Sequence, residues 1–447
     1  MKIFLGFSPT LRVNLLLLFI SGLCFWAGLA GLLPALPLYI SEFGATGQQI
    51  GLVMGCFGVG LIAIRPRMAR MADEQGRKMV LLIGLVAIAA APFGYWLVGY
   101  VPDVALTMPG FGSESGLESG KAIAINIHVL LLMLMRAGHG ISIAAYVTAY
   151  SALIVDLAPA NSRGELIGYM SLVNPLGMAL GPALGGFLVE SAGFQAVFLV
   201  TGGLGLLGLV FSSRVKETSP KEIADVRPSS AITPAPDNRQ PQLFWRLLLT
   251  PRIRIPAVIL LLVGLAFGSL ATFIPLYVKS LGLDLNVGLI YTASAAASFT
   301  VRFLVGSASD RHGRGRFITL SLVFYTLAMT VMWMADSNVM LLLGGLLQGA
   351  GGGTLIPMIA ALMADRSHPN ERARIFGLCM VGFDVGIAIA GPIFGQVADM
   401  IGYRSIFGLS AIMTSLGLII FTTASSKDLR HSLQFSLSHG RDVYAVD

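Results

Sequence analysis

Two charged residues stand near the middle of long apolar runs, where a charge is costly and therefore points to function. Arg136 lies 13 residues into the run 123–155, and Asp384 lies 12 residues into the run 372–399. At 1.5 Å per helical residue, each position is ~20 Å from the start of its run. Asp384 could carry a proton or bind a cationic group, with Arg136 as its alternating partner or as an anchor for an anion. A static Arg136–Asp384 pair, or an Asp384 held by hydroxyls, is the structural alternative.

His139 follows Arg136 by one helical turn in the sequence Arg-Ala-Gly-His-Gly at 136–140. The ordinary pKa of histidine, ~6.5, suits a proton relay. A lone histidine in a helix more often only makes hydrogen bonds with its neighbours. Both interpretations of His139 stay open at this point.

Twelve apolar runs are long enough to cross ~30 Å of hydrocarbon as helices. The 447-residue chain is 55% hydrophobic and 12% charged, and its mean hydropathy is +0.78. A soluble surface cannot be built from so few charges, so we predict an all-α membrane protein with twelve transmembrane helices. The runs lie at 12–40, 47–68, 79–100, 123–155, 164–190, 194–213, 252–279, 285–308, 316–336, 338–365, 372–399 and 403–425.

Lysine and arginine are distributed unevenly between the two sides of these runs. With the N-terminus in the cytoplasm, 26 of the 30 lie on the inside, and Lys121, Lys279 and Arg404 lie outside. The excess of positive charge on cytoplasmic loops predicts that both termini are cytoplasmic, in the cell (inner) membrane. No basic patch falls on a soluble domain, so a nucleic-acid partner is not expected.

The second half of the sequence repeats landmarks of the first half in the same order. The motif Asp-x-x-Gly-Arg at 73–77 recurs at 310–314, and Arg65 and Arg302 each precede it by eight residues. The pair Gly181-Pro182 recurs 210 residues later as Gly391-Pro392. We therefore predict a duplicated six-helix unit.

The repeat defines the expected organisation of the chain. Residues 1–213 and 251–425 would form two six-helix bundles, joined by a flexible cytoplasmic linker at 214–250 and followed by a cytoplasmic tail at 426–447 that we expect to be a loose end. The polar segment 101–121 has no counterpart in the second half and is expected to be a variable surface loop. Two such halves around a pseudo-two-fold axis along the membrane normal are a transporter architecture, with the substrate near the midplane.

The repeated loop motif resembles the signature of the major facilitator superfamily, and the resemblance covers essentially the whole chain. It rests on six residues: Asp73, Gly76, Arg77, Asp310, Gly313 and Arg314. The two glycines permit tight turns. The two arginines could pair with acids such as Asp156 and Asp365 on the adjacent half-bundle, closing a cytoplasmic gate in one state and opening it in the other. Retention of basic loops in the cytoplasm is the plainer explanation, and both can hold.

The fifth run contains a glycine-rich motif that resembles the antiporter signature of the drug-efflux branches of this superfamily. Glycines four residues apart let helices approach closely, and proline bends a helix, which suits a hinge. Ordinary packing of small residues is the alternative. The motif consists of Gly177, Gly181, Pro182, Gly185 and Gly186.

The segment 136–140 resembles the fourth-helix motif that the family associates with proton coupling. His139 stands where glutamine is usual, and the first run lacks the acid that many proton-coupled relatives carry. The resemblance implies proton coupling, and this departure leaves its pathway open.

The leading hypothesis is a secondary active transporter that exports small organic molecules, drugs or metabolites, in exchange for protons. A sugar or metabolite uptake porter or facilitator is the alternative, and a non-transporting membrane sensor is a more remote one. The chain has no P-loop and no hydrolase motif, so we do not expect an enzyme. We expect no cofactor and no metal, a small-molecule substrate, protons as the coupling ion, a lipid bilayer as surroundings, and a monomer.

Overall fold

Long apolar segments fold as helices because hydrocarbon offers no partner for unpaired backbone groups. The computed structural model describes residues 7–102, 105–108, 123–159, 163–216, 247–368, 371–437 and 442–446. In this described part the helices of the first half are α1 (Pro9–Gly31), α2 (Leu36–Glu42), α3 (Gly47–Gln75), α4 (Arg77–Val98), α5 (Ile127–Leu157), α6 (Arg163–Ser171) and α7 (Val173–Ser213). The later helices are α8 (Pro251–Ser280), α9 (Val287–His312), α10 (Arg314–Trp333), α11 (Asn338–Asp365), α12 (Arg372–Ile401), α13 (Tyr403–Ala424) and α14 (Leu429–Ser436).

The predicted twelve membrane spans are confirmed. Ten helical segments of the described chain are long and apolar enough to cross a membrane. One of them, Glu165–Ser213, has 49 residues and is interrupted at Gly193, whose φ of 78° is not helical, so it holds two spans. The 26-residue α9 supplies the remaining one.

The alternation of spans gives the molecule two faces. Helix α1 begins, and α13 ends, on the face that also carries α14, which we call the terminal face. The other side is the opposite face. On the terminal face the side-chain amide of Asn14 bonds to the backbone of Lys216, tying the start of α1 to the end of α7.

Each half of the molecule has its own apolar core toward the terminal face. Leu81 and Tyr146 are fully buried in the first half, as are Ile318 and Ile359 in the second. A third cluster, nearer the opposite face, mixes side chains from both halves. The two bundles therefore share apolar contacts on the opposite-face side.

The segment between α4 and α5 contains the strands β1 (Ala105–Met108) and β2 (Ile123–Asn126). They pair antiparallel, with Ala105 opposite Asn126 and Met108 opposite Ile123. The rest of the predicted surface loop, at 103–104 and 109–122, lies outside the described residues, as do residues 217–246 of the predicted linker.

The expectation that the C-terminal tail is a loose end is wrong for its described residues. Arg366, at the end of α11, is 1% exposed and donates to both carboxylate oxygens of Asp442 at 2.6 and 3.0 Å. The same guanidinium also donates to the backbone carbonyls of Arg252 and Ser425. The tail is therefore fastened to the terminal face of the second half, because it supplies the carboxylate for a buried charge.

Candidate functional site

The two halves meet along two seams, and the first lies between α3 and α12. Its closest backbone contacts are made at glycines, and the Asp399 carboxylate of α12 accepts hydrogen bonds from the backbone N–H groups of Gly47 and Gln48 at 2.6 and 2.8 Å. A Cβ on Gly51 would overlap the backbone of Gly391, and Gly47 is similarly close to the backbone of Gly395. Small residues at helical spacing thus bring two backbones from different halves into direct contact.

The second seam lies between α7 and α9. The hydroxyl of Thr292 donates to the backbone carbonyl of Ala179 at 3.0 Å. A Cβ on Gly288 would overlap the carbonyl of Pro182, and one on Gly186 would meet Asn286 and Gly288. This seam has the same construction as the first, as expected for a duplicated unit.

The predicted antiporter-type motif divides its residues between two tasks. Gly177, Gly181 and Gly185 face α1, where their Cα atoms lie close to the backbone from Trp26 to Gly31. Pro182 and Gly186 face α9 across the second seam. The motif therefore connects a tight helix pair inside the first half with the contact to the second half.

An ion pair crosses the first seam deeper in the membrane. Arg65 on α3 and Asp384 on α12 approach to 2.5 Å, and their side chains are 41% and 13% exposed. Asp384 was predicted as a site residue, but its partner is Arg65 and not Arg136. In the sequence, Arg65 counts among the positive charges of the cytoplasmic side, although its match to Arg302 in the repeat could have marked it as a site residue.

Close helix packing fixes the position of Asp384. Gly382 and Gly386, on either side of it, lie against the backbone of α8 near Ala257 and Leu261. Gly264 of α8 in turn leaves no room for a Cβ beside the carbonyl of Phe383. This close packing places Asp384 on the side of α12 that is turned toward the other half.

Arg136 lies in a separate buried cluster inside the first half. Its side chain is over the ring of Phe57 at 4.5 Å, and one guanidinium nitrogen is 3.3 Å from Nδ1 of His139. The hydroxyl of Tyr95 is 2.9 Å from the same Nδ1. A guanidinium only donates, so Nδ1 accepts and His139 carries its proton on Nε2. The structure brings Arg136 and His139 together and leaves Asp384 apart from them.

The predicted gate residues form ion pairs within each half. Arg77 is 3.1 Å from Asp156 and 3.5 Å from Asp73, all in the first half. Arg314 and Asp365 approach to 2.7 Å in the second half. The acids named from the sequence are the partners, and each pair lies within one six-helix bundle. A gating role for these pairs stays a prediction.

The turns beside these ion pairs depend on glycine. Gly76 and Gly313 have φ of 103° and 81°, which other residues rarely adopt. Each lets a helix end and the next begin within one residue. The side chain of Asp310, the remaining predicted gate residue, lies outside the described residues.

A duplicated twelve-span fold, with glycine-lined seams and repeated loop motifs, agrees with comparison to known families. The model of the Major Facilitator Superfamily matches residues 18–307 and 284–437. The chain belongs to the major facilitator superfamily. It is therefore an integral membrane protein of a transporter family.

Two relatives in this superfamily align over nearly their whole length. The multi-drug resistance efflux pump PmrA homolog of Lactococcus lactis is 27% identical over 418 residues, covering 89% of this chain and 90% of the relative. Multidrug resistance protein MdtG of Escherichia coli is 26% identical over 421 residues, covering 90% and 91%. A crystal structure of a mutant of the nucleoside transporter NupG superimposes with a TM-score of 0.69 at 14% identity, covering 93% of this chain and 100% of that one. This similarity shows the shared fold.

Proposed function

We propose that this transporter exports small organic molecules in exchange for protons and that Asp384 carries the proton. The observation behind the proposal is the ion pair with Arg65, which joins the halves inside the membrane. The printed names of two full-length relatives, an efflux pump and a multidrug resistance protein, support export as the direction.

The ion pair can act as a latch. While Asp384 is ionised, it attracts Arg65 and keeps α3 on α12. A proton on the carboxylate removes its charge, so the attraction ends and the halves can rock. In the described structure Arg65 is the one charged side chain that reaches Asp384, since α8 presents Leu261 and Gly264 to this part of α12. Exchange follows if the protein resets only after the exported molecule has left and a proton has entered.

The remaining predicted residues have supporting roles in this proposal. Residues 1–213 and 251–425 move as the two bundles, and the terminal face is the cytoplasmic one. The ion pairs of Arg77 and Arg314 keep the cytoplasmic loops of each half in shape while the bundles move. Pro182 and its neighbouring glycines let α7 slide against α9.

Flux through proteoliposomes under an imposed pH gradient tests the proposal. For a panel of anionic, neutral and cationic fluorescent dyes, we expect gradient-driven flux of some members. Asp384→Asn should lower that flux by about 10²-fold, the usual contribution of a positioned proton-transfer group. The matched control is Asp336→Asn, because Asp336 is an exposed acid paired with Arg404 outside the seam, and it should keep the wild-type rate.

Other outcomes decide against the proposal. An Asp384→Asn protein with the wild-type rate and pH dependence would remove Asp384 from the mechanism. Gradient-independent exchange by the wild type would favour an uptake porter or facilitator. Absence of flux for every dye would favour a membrane sensor.

A further inference from the structure

Arg302 on α9 is a charged residue inside a membrane span without a counter-charge in the described part of the chain. Its Nε is buried and has no hydrogen-bond partner among the described residues, and no described carboxylate forms an ion pair with it. A guanidinium stays charged and offers five donors. Because an isolated charge in the membrane interior is disfavoured, a group from outside the described protein is needed to compensate it.

The duplication shows what is missing. Arg302 is the repeat equivalent of Arg65, and each lies ten residues before the end of its helix. The offset of 210 that relates Gly181-Pro182 to Gly391-Pro392 relates Asp384, the partner of Arg65, to Asn174. The first seam thus has an arginine and a carboxylate, and the second has an arginine and a neutral amide.

Arg302 lies on the face of α9 that is turned toward the other half, and its side chain is only partly buried. Positions 288, 292, 295, 299 and 302 recur at helical spacing, so Arg302 shares the face of α9 that contacts α7. It lies ten residues, ~15 Å, beyond the Thr292–Ala179 hydrogen bond toward the terminal face. The equivalent Arg65 on the other seam is 41% exposed even while paired. Arg302 therefore lies on the side of α9 that is turned toward α7, nearer the terminal face than the Thr292–Ala179 contact.

We propose that Arg302 binds an anionic group of the transported molecule, such as a carboxylate, sulfonate or phosphonate. The planar guanidinium can hold two oxygens of such a group at once. This proposal rests on the proposed transport function and narrows its substrates to amphipathic organic anions. The proton and the substrate charge then have separate places, Asp384 on the first seam and Arg302 on the second.

Binding to detergent-purified, full-length protein tests the site. The probes are pairs of equal shape: 2-naphthoate with 2-naphthamide, and naphthalene-2-sulfonate with naphthalene-2-sulfonamide. Dose-dependent thermal stabilisation should show about tenfold tighter binding of the anion in each pair, as expected for a charge-assisted, two-oxygen contact. Arg302→Gln should abolish the preference. Arg316→Gln, which removes an exposed arginine on the neighbouring α10, should keep it.

A second variant leaves the arginine in place. Asn174→Asp should give the second seam a carboxylate equivalent to Asp384 in the first. Arg302 could then form an ion pair within the protein. We expect this protein to be at least as heat-stable as the wild type. Because the new carboxylate competes for the guanidinium, the affinity for the anionic probes should fall about tenfold and the anion preference should disappear. Because the variant is expected to fold, its result does not depend on the stability of Arg302→Gln.

The outcomes separate this inference from the proposed function. A wild type without anion preference in either pair, or an Arg302→Gln or Asn174→Asp protein that keeps the preference, would overturn it. Gradient-driven dye flux without anion preference would contradict the anion site and leave the proposed proton exchange in place. If the anion preference depends on Arg302 but the protein shows no gradient-driven flux, the anion site is supported and proton exchange is contradicted.

Discussion

At the scale of single residues, His139 is surrounded by donors. Both Arg136 and the Tyr95 hydroxyl approach its Nδ1, while its Nε2 has no partner among the residues that the structure describes. The side chain is 1% exposed. This geometry favours an acceptor that holds Arg136 in place over a relay that exchanges protons with water.

Replacement of His139 by glutamine separates these two roles. The amide oxygen of His139→Gln can accept from Arg136 but cannot titrate, so we expect transport to keep its rate and pH dependence. His139→Leu removes the acceptor and leaves buried donors unsatisfied, which costs ~1–3 kcal/mol. Thermal unfolding and proteoliposome flux measure the two effects. Loss of pH dependence in the glutamine variant, with unchanged stability, would restore the relay hypothesis.

The residues that sequence analysis found and missed differ in one physical respect. Asp384 and Arg136 interrupt long apolar runs, so their cost in hydrocarbon marked them. Arg65 stands near the end of its run, among Arg67 and Arg70, where charge is normal. Because the end of the run is uncertain by several residues, the sequence cannot distinguish an arginine in a loop from one that faces a seam. The partner, Asp384, is also 319 residues away in the chain.

At the scale of helices, the seam between α3 and α12 depends on residues without side chains. A Cβ on Gly391 would overlap the carbonyl of Gly51. On the same helix, a Cβ on Gly377 would have no atom of the described residues within 4 Å. These two glycines form a matched pair for testing whether the contact between the halves matters.

We expect Gly391→Ala to weaken closure at the opposite face and to impair transport. The added methyl group forces the backbones apart, with a cost of ~1–3 kcal/mol typical of overpacking. Gly377→Ala should be neutral or slightly stabilising, because alanine favours helix by ~1 kcal/mol over glycine. Dye flux and thermal unfolding of both variants give the comparison. Equal behaviour of the two variants would remove the seam from the transport cycle.

The tail gives a second test at this scale. Asp442→Asn removes the carboxylate that faces the buried Arg366. Breaking a buried pair by removing one partner typically costs ~3–5 kcal/mol, so we expect a clear fall in the midpoint of thermal unfolding. Asp336→Asn breaks an exposed pair with Arg404 and should cost ~0–1 kcal/mol. A similar small effect for both would mean that Asp442 does not fasten the tail.

The sequence did not predict the fastened tail for a clear reason. Residues 426–447 are polar and contain no long apolar run, which usually means a loose end. Their binding depends on one arginine, 76 residues before its carboxylate partner, that needs a counter-charge after the helices have packed. Such long-range pairing of single residues leaves no periodic signal.

At the scale of the whole molecule, the duplication and the span count were readable because periodicity and repetition are properties of the chain itself. The conformation was not readable. The described contacts between the halves run from the opposite face, at Gly47 and Gly186, inward to the Arg65–Asp384 pair. The protein is therefore closed on the opposite face in this conformation. The same sequence must also adopt the other states of the transport cycle, so it could not predict which state the structure shows.

Cysteine labelling in intact cells tests the orientation of the two faces. In a protein whose three native cysteines are replaced by serine, Asp336→Cys on the opposite face should react with a membrane-impermeant maleimide from outside. Arg430→Cys on α14, which is exposed on the terminal face, should react only after the cells are permeabilised. This result follows from the excess of positive charge on the terminal side. The reverse pattern would invert the proposed direction of export.

The smoothness of the first seam bears on how quickly the carrier can switch. Where glycine lines both helix faces, the helices can separate without interlocked side chains. The contacts that must break are then polar: the Arg65–Asp384 pair, and the two hydrogen bonds that the backbone N–H groups of Gly47 and Gln48 donate to the Asp399 carboxylate. Most of the barrier would then reside in these two carboxylate contacts. Turnover of such a carrier should respond weakly to the thickness and lateral pressure of the surrounding lipid and strongly to acidity.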